Sequence, residues 1–139
     1  MGSILSIDYG LKRIGLAVSD ESRSFAFPCG VIENKNFTFV LAHIRKIIEE
    51  KNIDLVIVGM PYNMNRENTT KSEVAILVEK FLKKLQENIS IPVKAVDERL
   101  SSFSAEEKLR ESGLSAKKSK KFIDTEAARL ILQEYLENC

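Results

Sequence analysis

The 139 residues suffice for one compact domain with a buried core, and 44% hydrophobic with 29% charged residues is the balance of an ordinary globular protein. A formal net charge of +1 excludes a polycation that grips nucleic acid by bulk charge, so any such binding must come from a local basic patch. Cys29 and Cys139 stand alone, with no CxxC and no histidine at ligand spacing, which argues against zinc and against a disulfide framework. With no signal peptide and no apolar run near the roughly 20 residues of a membrane span, a cytoplasmic protein is expected.

In chain order, the first strand is expected over 4–8, an apolar run that Asp8 ends. Tyr9-Gly10-Leu11-Lys12 reads as a turn and 13–19 as a second strand. Residues 20–24 are polar and turn-like. A third strand spans 25–32, with Pro28 suited to an edge or an irregularity. Links this short favour an antiparallel meander. A helix follows with Asn36 as N-cap and an apolar stripe of Val40, Leu41, Ile44, Ile47 and Ile48. His43 lies within it and reads as a surface or packing residue.

Leu55-Val56-Ile57-Val58 predicts a strand buried on both faces, broken by Gly59-Met60-Pro61 and followed by a polar loop over 62–68. Thr70-Lys71-Ser72-Glu73 is a capping box that opens a helix with Val74, Leu77, Val78, Phe81, Leu82 and Leu85 inward. A strand over 93–96 leads into Asp97-Glu98. Ser101 or Ser102 caps a helix through Leu109, which Gly113 ends with Leu114 as its latch. Lys117, Lys118, Lys120 and Lys121 then precede a last helix from about Phe122 to Leu136. The order β-β-β-α-β-α-β-α-α implies an α/β fold, a mixed five-stranded sheet flanked by helices, in a single domain over 1–139.

Chemistry enters through the acids. Asp8, Asp97-Glu98 and Asp124 sit at strand ends and at a helix head, where an α/β fold can bring them together. Convergent carboxylates hold hard divalent cations for phosphoryl transfer. Each also has a plainer reading: Asp8 as a turn former for Gly10, Asp97 and Glu98 as helix-entry acids, Asp124 as a first-turn acid favoured by the helix dipole. Successive strand residues face opposite sides, so one of Asp97 and Glu98 reaches a shared site. The longer arm favours Glu98; Asp97 is the alternative.

Lys12 and Arg13 in the turn after Asp8, Arg99, and the cluster Lys117, Lys118, Lys120 and Lys121 are candidates for phosphate contacts. A lysine run equally describes a solvated linker, and Arg99 equally a partner of Asp97. Ser101 and Ser102 have no base nearby, so they fit capping or phosphate hydrogen bonding better than covalent catalysis. Tyr9 fits packing on the sheet better than stacking on a base.

The element order with Asp8 on the first strand resembles the ribonuclease H-like fold. Asp8-Tyr9-Gly10-Leu11-Lys12-Arg13-Ile14-Gly15-Leu16-Ala17-Val18-Ser19-Asp20 resembles the opening signature of the YqgF family. These are RuvC-like proteins, also described as Holliday junction resolvases or pre-16S rRNA nucleases. Val58-Gly59-Met60-Pro61 with Asn63-Met64, then Asp97-Glu98-Arg99-Leu100-Ser101-Ser102, then Lys121-Phe122-Ile123-Asp124 with Ala127-Ala128 and Ile131-Leu132 match its later motifs in order. Thr125-Glu126 departs from the pattern, with Glu126 either near the metals or facing water. Asn65-Arg66-Glu67 replaces the usual glycine-containing turn.

The resemblance implies a nuclease, a hydrolase of ester bonds, with two Mg²⁺ or Mn²⁺ ions on Asp8, Glu98 and Asp124. It implies a nucleic-acid partner: structured RNA, in maturation of the 5′ end of the 16S ribosomal RNA precursor, or branched DNA. Cutting a four-way junction would demand a homodimer with two sites on a two-fold axis. Two other readings stand beside it. One is a non-catalytic nucleic-acid-binding module. The other is an actin-like phosphotransferase, which would need a second domain to close around ATP.

Overall fold

The computed structural model describes residues 2–60, 73–97 and 116–137, without the side chains at 97 and 116–125. The central strand β1 (Ser3–Asp8) is buried until its last residue. β2 (Arg13–Ser19) returns antiparallel beside it, pairing Leu5 with Val18 and Asp8 with Gly15. β3 (Ala26–Glu33) continues the meander as an edge strand. β4 (Ile53–Met60) and β5 (Val93–Asp97) lie on the other side, both parallel to β1, giving the order β3-β2-β1-β4-β5. The α/β fold expected from the sequence, a mixed five-stranded sheet flanked by helices, is the one observed.

Strand alternation divides the core in two. Leu5 and Ile7 of β1 and Val56, Val58 and Met60 of β4 face one side. There they meet Val40 and Ile44 of α1 (Phe37–Glu50) and Val78, Phe81 and Leu85 of α2 (Glu73–Asn88). Ile4, Ala17, Leu55 and Ile57 face the other side, against Ala128, Ile131 and Leu132 of α3 (Ala116–Glu137). Ala127 and Ala128 are almost wholly buried, so small side chains let α3 lie close to the sheet.

Local chemistry explains the joints. The Asn36 side chain accepts from the Phe39 amide at 2.9 Å, capping α1 as expected. The β2–β3 register shifts between Leu16 and Ala17, opposite Gly30 and Pro28, so Cys29 is the extra residue of a bulge. Gly30 at φ +96° takes the left-handed backbone there. Pro28 thus sits both on an edge strand and at an irregularity. Gln133 of α3 accepts from the Ala26 amide at 3.0 Å and donates to the Ser24 carbonyl at 3.3 Å, pinning the helix to the start of β3.

Three expectations change. β4 does not break at Gly59: Gly59 pairs with Val96 and Met60 with Asp97, so the ladder to β5 outlasts the ladder to β1. α3 begins at Ala116, so Lys117, Lys118, Lys120 and Lys121 lie within it rather than before it, and Asp124 is past its first two turns. On α2, Ala75 is buried whereas Leu77 is 38% exposed. The loop over 62–68, the capping residues 70–72 and the expected helix over 101–109 with its Gly113 stop lie outside the described residues.

Candidate active site

β1, β4 and β5 run parallel, so their carboxyl ends share one rim. That rim is where open α/β sheets place their ligands. Asp8 is the last residue of β1 and Asp97 the last of β5, with β4 between them. Leu5 and Ile7 face α1 and α2, and Tyr9 packs on that same core. Alternation therefore turns Ile4, Ser6 and Asp8 toward α3.

Gln133 fixes one point of α3 on the sheet. Its contact with Ala26 lies beside Ser19, near the amino end of β1. From 133 to 124 is about 13 Å of helix, and from Ile4 to Asp8 is about 13 Å of strand. The helix between 124 and 133 is thus as long as the strand between Ile4 and Asp8. Glu98, Arg99, Ser101 and Ser102 lie outside the described residues, as do the side chains of Asp97, Asp124 and the four helix lysines.

Ser6 was not singled out by the sequence reading. It is wholly buried two residues before Asp8 on the same face, and its hydroxyl has no hydrogen-bond partner among the described residues. An orphan of this kind costs about 1–3 kcal/mol. Among the described residues no three His, Cys, Asp or Glu groups stand close enough to hold a metal. The donors expected at the rim are carboxylate oxygens beside a buried hydroxyl, a set that fits a hard hydrated cation. The softer ligands lie elsewhere. His43 packs at a tilt against Phe39 on the exposed side of α1, with ring centroids 4.6 Å apart. Cys29 sits in the edge bulge, where burial pushes its thiol above the ordinary value.

The turn after Asp8 is clamped. Asn34 donates its side-chain amide to the Gly10 carbonyl at 2.9 Å, and its backbone amide donates to the Lys12 carbonyl at 2.9 Å. A Cβ on Gly10 would meet the Arg13 carbonyl oxygen at 2.3 Å, so the turn admits no larger residue without opening. Lys12 is exposed and Arg13 half-buried, and both border a trough of about 600 Å³ with Leu11 and Glu33. Tyr9 packs against Phe81 with ring centroids 4.8 Å apart, the packing role expected for it.

Glu126 does not face water. It is 9% exposed, accepts from Arg129 Nε at 2.9 Å and makes a second contact with the same guanidinium. The hydrogen bond from Arg129 raises the arginine above its ordinary value. The unusual residue of the closing motif is therefore held in an ion pair along the helix.

An antiparallel meander, two parallel strands and one helix laid across the Asp8 face define a ribonuclease H-like α/β protein of the RuvC-like type. The same fold is seen in Thermus thermophilus RuvC in complex with Holliday junction substrate, at a TM-score of 0.57 and 16% identity over 94% of this chain and 92% of that one. It recurs in the fowlpox virus Holliday junction resolvase, at a TM-score of 0.59 and 17% identity over 99% of each. The profile of the RuvX family, described as Holliday junction resolvase, matches residues 2–138, and the chain belongs to that family. A relative from Maridesulfovibrio salexigens, named "Putative pre-16S rRNA nuclease", is 38% identical over 133 residues, covering 96% of each chain. One from Geobacillus kaustophilus with the same name is 40% identical over 136 residues, again covering 96% of each. Among the described residues no helix is long and apolar enough to cross a membrane.

Proposed function

We propose that this chain is a metal-dependent endonuclease acting in one domain over 1–139. It hydrolyses phosphodiester bonds in structured RNA, and its role is maturation of the 5′ end of the 16S ribosomal RNA precursor in the cytoplasm. The observation that carries the reading is the position of Asp8: half-buried at the carboxyl end of the central strand, on the face covered by the helix that bears Asp124. The names of the relatives support the choice of RNA.

Asp8, Glu98 and Asp124 would hold two Mg²⁺ or Mn²⁺ ions. The longer arm of Glu98 favours it over Asp97 as the third ligand. When bound, such ions make a bound water acidic and neutralise the charge that develops on phosphate oxygens. The chain's own residues do the rest. Asp8 fixes the ligand position because β1 is paired on both sides. Lys12 and Arg13 meet phosphates flanking the cut, and Arg99, Ser101, Ser102, Lys117, Lys118, Lys120 and Lys121 extend that contact.

The description of the family favours a second reading, resolution of four-way DNA junctions. That activity requires a homodimer with paired sites. Purified protein with Mn²⁺, offered structured RNA, single-stranded RNA and a four-way DNA junction side by side, separates the two. Cleavage of structured RNA by a monomer supports the proposal. Paired symmetric nicks in the junction by a dimer, with RNA untouched, transfer the role to DNA, and no cleavage of any substrate leaves a binding module.

A further inference from the structure

A second cavity opens on the opposite face of the same rim, between the Tyr9 turn, the start of α1 and the outer side of α2. Its volume is about 270 Å³. That is slightly under the roughly 300–1,000 Å³ of pockets that enclose drug-sized ligands, which leaves room for one planar ring system and its substituents. Tyr9, Phe37 and Phe81 form the wall: Phe81 lies 4.8 Å from Tyr9 and edge-on to Phe37 at 6.1 Å. Lys80 and Lys84 stand one turn apart at the mouth, both exposed. Lys84 Nζ lies 5.3 Å from the centre of the Phe37 ring. The described lining holds no carboxylate, so an anionic ligand meets no repulsion there.

We propose that this cavity accepts one nucleotide of a single-stranded part of the substrate, its base against the aromatic wall and its phosphate between Lys80 and Lys84. The inference rests on the nuclease reading and adds a subsite to it. Aromatic walls stack bases of any sequence, and the flanking lysines track the backbone. The cavity adjoins the turn that follows Asp8. Tyr9 follows Asp8 directly in the chain, on the other face of the sheet. Asn34 borders both this cavity and the trough that holds Lys12 and Arg13. A strand whose scissile phosphate lies at Asp8 would pass round the Tyr9-Gly10 turn to seat another of its nucleotides in the cavity.

The test is binding of fluorescently labelled single-stranded RNA in EDTA, read by anisotropy, with an intact strand and one bearing abasic sites. Metal-free binding separates this inference from the cleavage assignment, since either can fail alone. Lys80→Glu with Lys84→Glu should weaken binding of the intact strand roughly tenfold or more and flatten its salt dependence by about 0.7 in log–log slope per lost phosphate contact. Leu77→Trp narrows the mouth at a position that is already 38% exposed. It should abolish a preference of roughly tenfold for the intact over the abasic strand. Lys46→Glu with Lys83→Glu makes the same charge change outside the cavity and should leave that preference in place. Equal loss in both charge-reversed pairs, or an unchanged preference in Leu77→Trp, overturns the proposal. So does binding of AMP or UMP as tightly as the strand, which would make a free mononucleotide the occupant.

Discussion

At the scale of single residues, a polar group is as informative when it lacks a partner as when it has one. Ser6 is buried two positions from Asp8 with a hydroxyl that has no partner among the described residues. If that hydroxyl serves the site and not the fold, Ser6→Ala is neutral or stabilises the metal-free protein by up to about 1 kcal/mol. Urea unfolding measures this, and a loss greater than 1 kcal/mol would assign the hydroxyl to the fold. Glu126 is the reverse case. Glu126→Gln leaves the Arg129 guanidinium with a neutral partner and should cost about 2 kcal/mol, less than the 3–5 kcal/mol of a fully buried pair because Arg129 is partly exposed. Thermal unfolding that does not move would show that water replaces the carboxylate without loss. Asp8 was legible in the sequence because a carboxylate ending an apolar run is conspicuous. Ser6 was not, since a serine within such a run is unremarkable. The Asn34 clamp was hidden because its partner Gly10 lies 24 residues away in the chain.

At the scale of elements, strands and helices were readable wherever an apolar period ran without interruption. The ends were not. Gly59-Met60-Pro61 looks like a breaker, yet pairing with β5 holds Gly59 and Met60 in the ladder. Four lysines before Phe122 look like a linker, yet lysine is a good helix former and a solvated face needs no apolar stripe. The turn between β2 and β3 shows how one acid sets local structure. The Asp20 carboxylate accepts from the Phe25 amide at 3.0 Å, from the Ser22 hydroxyl and from the Ser24 amide at 2.8 Å. These bonds, the one from Phe25 first, hold its pKa below the ordinary 3.8. A carboxyl lowered by folding contributes stability that is complete above its unfolded value and is lost as pH falls through the lower folded value. Protection of the Ser24 and Phe25 amides against hydrogen exchange, corrected for intrinsic rates, should hold from pH 7 to near 4 and decline below. Asp20→Ala should remove it at every pH. Protection that survives well below pH 3 would show the turn to be held by other bonds.

At the scale of the molecule, the sheet order brings distant parts of the chain to one rim. β1, β4 and β5 end together, and α3, fastened at its far end by Gln133, returns across the face that bears Asp8. A near-neutral protein can still address a polyanion if its cations gather there, and Lys12 and Arg13 stand in and beside the turn that follows Asp8. Topology explains why the acids were recognisable as candidates from sequence while the course of the elements that carry them was not. Each lies on a different element, and only the parallel pairing of β1, β4 and β5 and the course of α3 relate them.

The most direct measurement is cleavage of the preferred substrate in Mn²⁺ by Asp8→Asn, in a preparation free of contaminating nuclease and shown by circular dichroism and anisotropy to keep its fold and its nucleic-acid binding. The account predicts no cleavage above background by a variant that still folds and still binds. Normal turnover would contradict it, because a reaction indifferent to the carboxylate at the end of β1 does not take place at this rim.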